Sequence, residues 1–190
     1  AEVTLEMPAA EIVARVAAFP CRRVVLTGGE PLLQQPGWLE VISGLRAIDP
    51  AYVFEVETNG SRLPDPEFRA AVDQFNVSPK LANSGMEERL RVAPDVLTSF
   101  AADPKAWFKF VGRNEADLLE IDHYASRFGI PAGKILVMPE GRSSAELDRH
   151  AGARLRRGHA VRQGEVEQAW QRDGDGDTQA LGHRGAMRVV

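Results

Sequence analysis

The sequence predicts an α/β protein built on a parallel sheet, and three observations carry that expectation. Short apolar runs recur along the first three-quarters of the chain. Between them lie stretches whose apolar residues repeat at helical spacing. Glycine, proline and asparagine pairs then stop one element and start the next. Strand and helix alternating in this way form βαβ units with parallel strands, either an open α/β sheet or an arc of a barrel.

Each element follows from its own residues. Pro8 to Phe19 carries Ile12, Val13 and Val16 on one helical face. Val24-Val25-Leu26-Thr27 is a buried strand ended by Gly28-Gly29. Trp38, Val41, Ile42 and Leu45 mark a helix that Asp49-Pro50 stops. Tyr52 to Val56 is a second strand, closed by Asn59-Gly60. Asp65-Pro66 offers an N-cap with proline at the first helical position, opening a short helix through Val72. Phe75 to Ser78 is a third strand, because a residue before proline is pushed to extended geometry. Pro94 to Ala101 is a helix with Leu97 and Phe100 inward, and Trp107 to Val111 is the fourth strand. Asn114 caps a long helix whose Asp117 can return the capping bond, and Gly129 and Pro131 end it. Lys134 to Met138 is the fifth strand.

Residues 1–141 therefore read as one domain, and the pattern breaks beyond them. Residues 142–190 contain no lysine, isoleucine, phenylalanine or tyrosine, and are rich in arginine, glycine and alanine. Disorder is one reading of this irregular tail. Translation of a GC-rich message in a shifted frame is the other, and it is preferred because such frames over-produce these three residues. Only Lys80, Lys105, Lys109 and Lys134 are lysines in the whole chain, a bias of the same origin.

Composition excludes several classes of function. A 190-residue chain with 44% hydrophobic and 26% charged residues suits an ordinary globular domain. Its net charge of −4 offers no basic surface for nucleic acid or membrane. No apolar run approaches a membrane span and no signal peptide opens the chain. The single cysteine, Cys21, rules out an internal disulfide framework and suits a reducing cytoplasm.

Ligands of parallel α/β sheets bind at the carboxyl ends of the strands. Polar and glycine residues collect there after nearly every strand: Thr27-Gly28-Gly29-Glu30-Pro31, Glu57-Thr58-Asn59-Gly60, Ser78-Pro79-Lys80 with Asn83-Ser84-Gly85, then Lys109, and Met138-Pro139-Glu140. Turns need glycine, proline and caps in any case. That need accounts less well for Thr27, Glu30, Glu57, Asn59 and Lys80 sharing one rim. Two glycines let a ligand approach the backbone, and their carbonyls with the Glu30 carboxylate suit a ligand ammonium. Ser78 and Lys80 offer donors and a positive charge to a carboxylate or a hydroxyl-rich group. An amino-acid nucleoside carries all three groups.

The run Val24-Val25-Leu26-Thr27-Gly28-Gly29-Glu30-Pro31 resembles the GGEP strand and loop of radical S-adenosylmethionine (SAM) enzymes. Glu57-Thr58-Asn59-Gly60, Ser78-Pro79-Lys80-Leu81-Ala82-Asn83-Ser84-Gly85 and Lys109-Phe110-Val111 follow in the order seen in the 7-carboxy-7-deazaguanine synthase family. The resemblance covers about residues 4–142. It implies a partial (β/α)6 radical SAM barrel. SAM would be held by Gly28, Gly29 and Glu30 and by Ser78, Pro79 and Lys80, with Met138, Pro139 and Glu140 near its adenosine. Thr27, Glu57 and Asn59 would face a pterin. The implied reaction is radical ring contraction of 6-carboxy-5,6,7,8-tetrahydropterin to 7-carboxy-7-deazaguanine, for deazapurines such as queuosine. It would use SAM, a [4Fe–4S] cluster and Mg2+, in a homodimer.

The family's three cluster cysteines and its magnesium-binding residue would precede Ala1, so the chain is expected to be a fragment that generates no radical alone. Cys21, just before the first strand, reads as a half-buried hydrophobe. Two other readings stay open: another radical SAM activating enzyme, or a cluster-less barrel that binds SAM or a partner. No catalytic or metal-ligating residue is assigned. Asp173-Gly174-Asp175-Gly176-Asp177 resembles the start of an EF-hand loop, but Thr178 replaces the turn glycine and Arg184 the bidentate glutamate. His123 falls within a helix, and His150, His159 and His183 match no zinc spacing.

Overall fold

The computed structural model describes residues 7–140 and 187–189. In chain order these form α1 (Ala9–Ala17), β1 (Arg23–Leu26), α2 (Gln35–Ile48), β2 (Val53–Thr58), α3 (Pro66–Ala71), β3 (Gln74–Val77), α4 (Glu88–Arg91), α5 (Pro94–Ala101), β4 (Ala106–Gly112), α6 (Glu115–Phe128), β5 (Ile135–Pro139) and β6 (Met187–Val189). All strand pairs are parallel, in the order β5-β4-β3-β2-β1-β6. A doubly wound sheet reverses its order at a switch point. Here β1 to β5 are laid down consecutively without reversal, which is the topology of a barrel arc.

The register separates the two faces of the sheet. Val56 lies beside Phe75, Val77 beside Phe108, and Phe110 beside Val137. These side chains, with Val24, Leu26 and Phe54, are buried in one continuous core with Val16, Ile42, Leu45, Phe68, Phe100 and Tyr124 of the helices. All the long helices therefore cover one face. Burying such side chains contributes about 1.5–3 kcal/mol each. Aromatic contacts add order: the Phe75 and Phe100 rings lie 5.4 Å apart, and Tyr124 meets Phe110 and Phe128 edge-on.

Alternate residues of the same strands point the other way, and at the centre of the sheet most of them are polar. Arg23, Glu55, Glu57, Gln74, Asn76 and Lys109 fall on this second face, the inner face of the arc. A parallel sheet covered on both faces has near-continuous apolar strands. The alternation in β2, β3 and β4 thus marks an inner face built for polar contacts.

Most elements lie where the sequence predicts them, with informative shifts. β2 runs two residues past Val56, so Glu57 and Thr58 belong to the strand itself. The Asn114 side chain accepts from Asp117 N at 3.2 Å, as a cap should. Asp117 does not return the bond to Asn114; its carboxylate accepts from Arg113 N at 2.7 Å. Aspartate lacks the extra methylene with which glutamate closes a capping box. Asp65 makes no side-chain cap, and its own N–H donates to Gln35 Oε1 instead. α4 is too short to show a period. β6 lies in the tail, where composition predicts no element, and pairs Val24 to Leu26 with Met187 to Val189. The histidines and the Asp-Gly run of residues 142–186 lie outside the described residues.

Candidate functional site

The β1 and β2 loops are built as one unit around Glu30. Its carboxylate is buried and accepts three hydrogen bonds: from Leu32 N at 3.2 Å, Thr58 Oγ1 at 2.8 Å and Asn59 N at 2.8 Å. Thr58 in turn accepts from Gly60 N, and the Asn59 side chain accepts from Ser61 N at 2.8 Å. Buried Gln35 adds a second tie, donating to Leu32 O and Leu63 O and accepting from Asp65 N. Glu30 thus spends its charge on positioning the loop. Gly28 and Gly29 stand at φ 91° and 51°, a region that disfavours side chains, and a Cβ added to Gly29 would meet nothing within 4 Å among the described residues. The backbone there faces open space that a ligand can enter.

Inside the arc, three side chains converge. Glu57 Oε1 lies 3.3 Å from Lys109 Nζ, and Thr27 Oγ1 donates to Glu57 Oε2 at 3.4 Å. Both contacts are longer than the roughly 2.7–3.2 Å of well-made hydrogen bonds. The carboxylate and the ammonium each keep 27% of their side-chain exposure, so a ligand can compete for them. Beneath them, buried Glu55 pairs with Arg23 at 3.3 Å and accepts from Asn76 Nδ2 at 3.0 Å, while Gln74 donates to Asn76 Oδ1. This deeper layer holds the upper one in register.

After β3, Ser78 N donates to Thr58 O at 2.8 Å, Pro79 is buried and Lys80 is exposed. Asn83 donates to Val111 O and to Asp117, and its own carbonyl accepts from Arg113. At the far side, Met138 and its register partner Val111 are exposed apolar residues on the inner face. Pro139 points to the helix face, and Glu140 pairs with Arg113 at 3.2 Å while its N–H donates to Gly112 O.

The structure therefore gathers Thr27, Glu57, Gly28 and Gly29 with the neighbouring Ser78-Pro79-Lys80 turn along one end of the sheet. The Asn59 and Glu30 side chains serve the loops themselves. Asn76 lies inside the arc where loop-by-loop reading passes over it, and Lys109, read there only as the end of its strand, takes a place beside Glu57. Their signal is the polar-apolar alternation Gln74-Phe75-Asn76-Val77 and Phe108-Lys109-Phe110.

A sequential parallel sheet with a double-glycine first loop and polar groups on its inner face is consistent with a partial radical SAM barrel. No family model matches the chain. It is 42% identical over 144 residues to the 7-carboxy-7-deazaguanine synthase of Pyrobaculum aerophilum, covering 75% of this chain and 61% of that protein. The synthase of Hyperthermus butylicus is 32% identical over 68% of this chain and 54% of its own length. A GTP 3′,8-cyclase of Lactiplantibacillus plantarum is 26% identical over 70% of this chain and 44% of its own. The chain belongs to the 7-carboxy-7-deazaguanine synthase family, and its matched part spans about three-fifths of the length of the Pyrobaculum relative.

The open glycine loop and the donors of the third turn fit SAM. The residues present do not fit the family's other groups. An iron–sulfur cluster needs several thiolates. The one cysteine, Cys21, lies before the first residue of β1, at the opposite end of that strand from the glycine loop. Among the described residues no group of three His, Cys, Asp or Glu side chains is placed to hold a metal ion, and no helix is long and apolar enough to cross a membrane.

Proposed function

We propose that this chain supplies the SAM- and pterin-facing rim of a 7-carboxy-7-deazaguanine synthase. The reaction is the radical ring contraction of 6-carboxy-5,6,7,8-tetrahydropterin to 7-carboxy-7-deazaguanine with loss of ammonia, and the assembly is a homodimer. The observation that supports this reading is the meeting of Thr27, Glu57 and Lys109 inside the arc, beside the open Gly28-Gly29 backbone.

SAM supplies the adenosyl group from which the family's chemistry begins. Gly28 and Gly29 offer carbonyls to its ammonium, and Ser78 and Lys80 offer donors to its carboxylate and ribose. Met138, beside Val111, gives an apolar surface for the adenine, next to Pro139 and Glu140. Glu30 acts indirectly, by fixing the glycine loop against Asn59. On the inner face, Thr27 and Glu57 present a hydroxyl and a carboxylate to the amino and amide edge of a pterin, and Lys109 pairs with Glu57 and orients it. Cluster and magnesium ligands are not among these residues, so no step is assigned to them.

Calorimetric titration of SAM into the purified chain, with Lys80→Ala as control, tests the reading. The expected result is measurable binding that the variant weakens by about tenfold, the effect of one charge-assisted contact. A folded chain that binds no SAM, or a variant that binds it equally well, overturns the assignment of this rim.

A further inference from the structure

The segment that carries Lys80 is held by a side chain that the functional reading above does not use. Arg91 ends α4, and its guanidinium is almost buried, at 8% exposure. Its Nε donates to Met86 O at 3.2 Å. Its Nη1 shares two hydrogens among three acceptors within reach, Lys80 O at 3.2 Å, Glu120 Oε1 at 2.6 Å and the Tyr124 hydroxyl. The Tyr124 hydroxyl donates to Lys80 O as well, at 3.4 Å, and the second Glu120 oxygen accepts from Ala82 N at 2.9 Å. One guanidinium therefore closes the loop 80–86 at both ends and fastens it to α6.

Burying this ion pair is expensive, and an apolar filling of the same volume would stabilise the fold as well. What the charged arrangement adds is geometry. A guanidinium has a rigid planar fan of donors spread over separate nitrogens, so it holds Met86 O and Lys80 O in a set geometry that an ammonium, with all its donors on one nitrogen, does not reproduce. The Lys80 carbonyl is one of those two, and its orientation sets where the exposed Lys80 side chain starts.

We infer that Arg91 is a positioning residue for the SAM-binding turn, holding Lys80 toward the rim through its carbonyl and through Glu120 and Tyr124. This rests on the reading of the rim as a SAM site. It assigns to Arg91 a role in SAM affinity beyond its share in folding.

The test compares the full chain with Arg91→Lys, Arg91→Met and Lys80→Ala. SAM affinity is read by calorimetry, loop order by hydrogen exchange of the amides of residues 81–86, and folding by thermal melting. Arg91→Lys keeps the charge beside Glu120 but loses the fan that reaches Met86 O and Lys80 O. It is expected to melt near wild type while binding SAM about tenfold more weakly, with faster exchange in the loop. Arg91→Met is expected to lose affinity at least as much and to melt lower. A folded Arg91→Lys variant with wild-type SAM affinity overturns the positioning role, whatever its exchange rates. If wild type binds SAM, Lys80→Ala binds it more weakly and Arg91→Lys binds it as wild type does, the positioning role falls and the rim reading stands. If folded wild type binds no SAM, the rim reading and this inference fall together.

Discussion

Glu30 shows how a residue expected to touch a ligand comes to serve the loop instead. Its two carboxylate oxygens meet three donors, Leu32 N, Thr58 Oγ1 and Asn59 N. A glutamine there would keep one acceptor oxygen and turn an NH2 group toward a donor. Glu30→Gln should destabilise the chain by about 1–3 kcal/mol, the cost of leaving a buried donor unpaired. Urea unfolding followed by circular dichroism would show this as a lower midpoint at unchanged slope. An unchanged midpoint would mean that the carboxylate is not what holds the two loops together. Individual residues were unevenly legible in the sequence. The double glycine and the Ser78-Pro79-Lys80 turn stand out because turn chemistry restricts which residues can fill them. Arg91 does not, because its side-chain partners Glu120 and Tyr124 lie 29 and 33 positions away and only the fold brings them together.

At the scale of elements, α3 is too short to stand alone, with six residues and no side-chain N-cap. Its C-terminal end is stabilised from outside. Lys105 Nζ donates to the carbonyls of Arg69 at 2.9 Å, Ala70 at 3.3 Å and Val72 at 2.6 Å, and Arg46 donates to Ala71 O at 2.8 Å. A cation at this end also opposes the helix dipole. Lys105→Met should cost about 1–2 kcal/mol, and faster hydrogen exchange should be confined to α3 and its flanks. Uniform loss of protection across the sheet would argue against a local cap. Strands and long helices were legible because their apolar residues repeat over enough positions to fix a period. α4 has four residues and β6 three, and a period cannot be read from so few. The polar inner face was also present in the sequence, as the alternation of Glu55, Glu57, Asn76 and Lys109 with buried neighbours. Reading loops for chemistry and strands for packing hides it.

For the molecule as a whole, the buried cluster under α6 leaves a mark on stability. Burial pushes the Tyr124 phenol up from 10.0 to about 12, with Glu120 acting in the same direction and Arg91 opposing. Below pH 10 both folded and unfolded chains keep the proton, and the group adds no pH dependence. Between about pH 10 and 12 the unfolded chain releases it first, so stability falls as pH rises through that window. Urea midpoints at pH 9, 10 and 11 should decline in wild type and decline less steeply in Tyr124→Phe. Equal slopes would place the loss in other groups.

The consecutive strand order also bears on how the chain reaches its structure during synthesis. Each of β1 to β5 pairs with the strand made just before or after it, so every βα unit can dock as it leaves the ribosome, at small cost in loop closure. The pairing of β1 with β6 is different, since it joins Val24–Leu26 to Met187–Val189 across nearly the whole chain. That contact has to wait for residues 187–189 to emerge. Among the described residues nothing else pairs with that edge of β1, so in their folding it is the edge most open to mispairing.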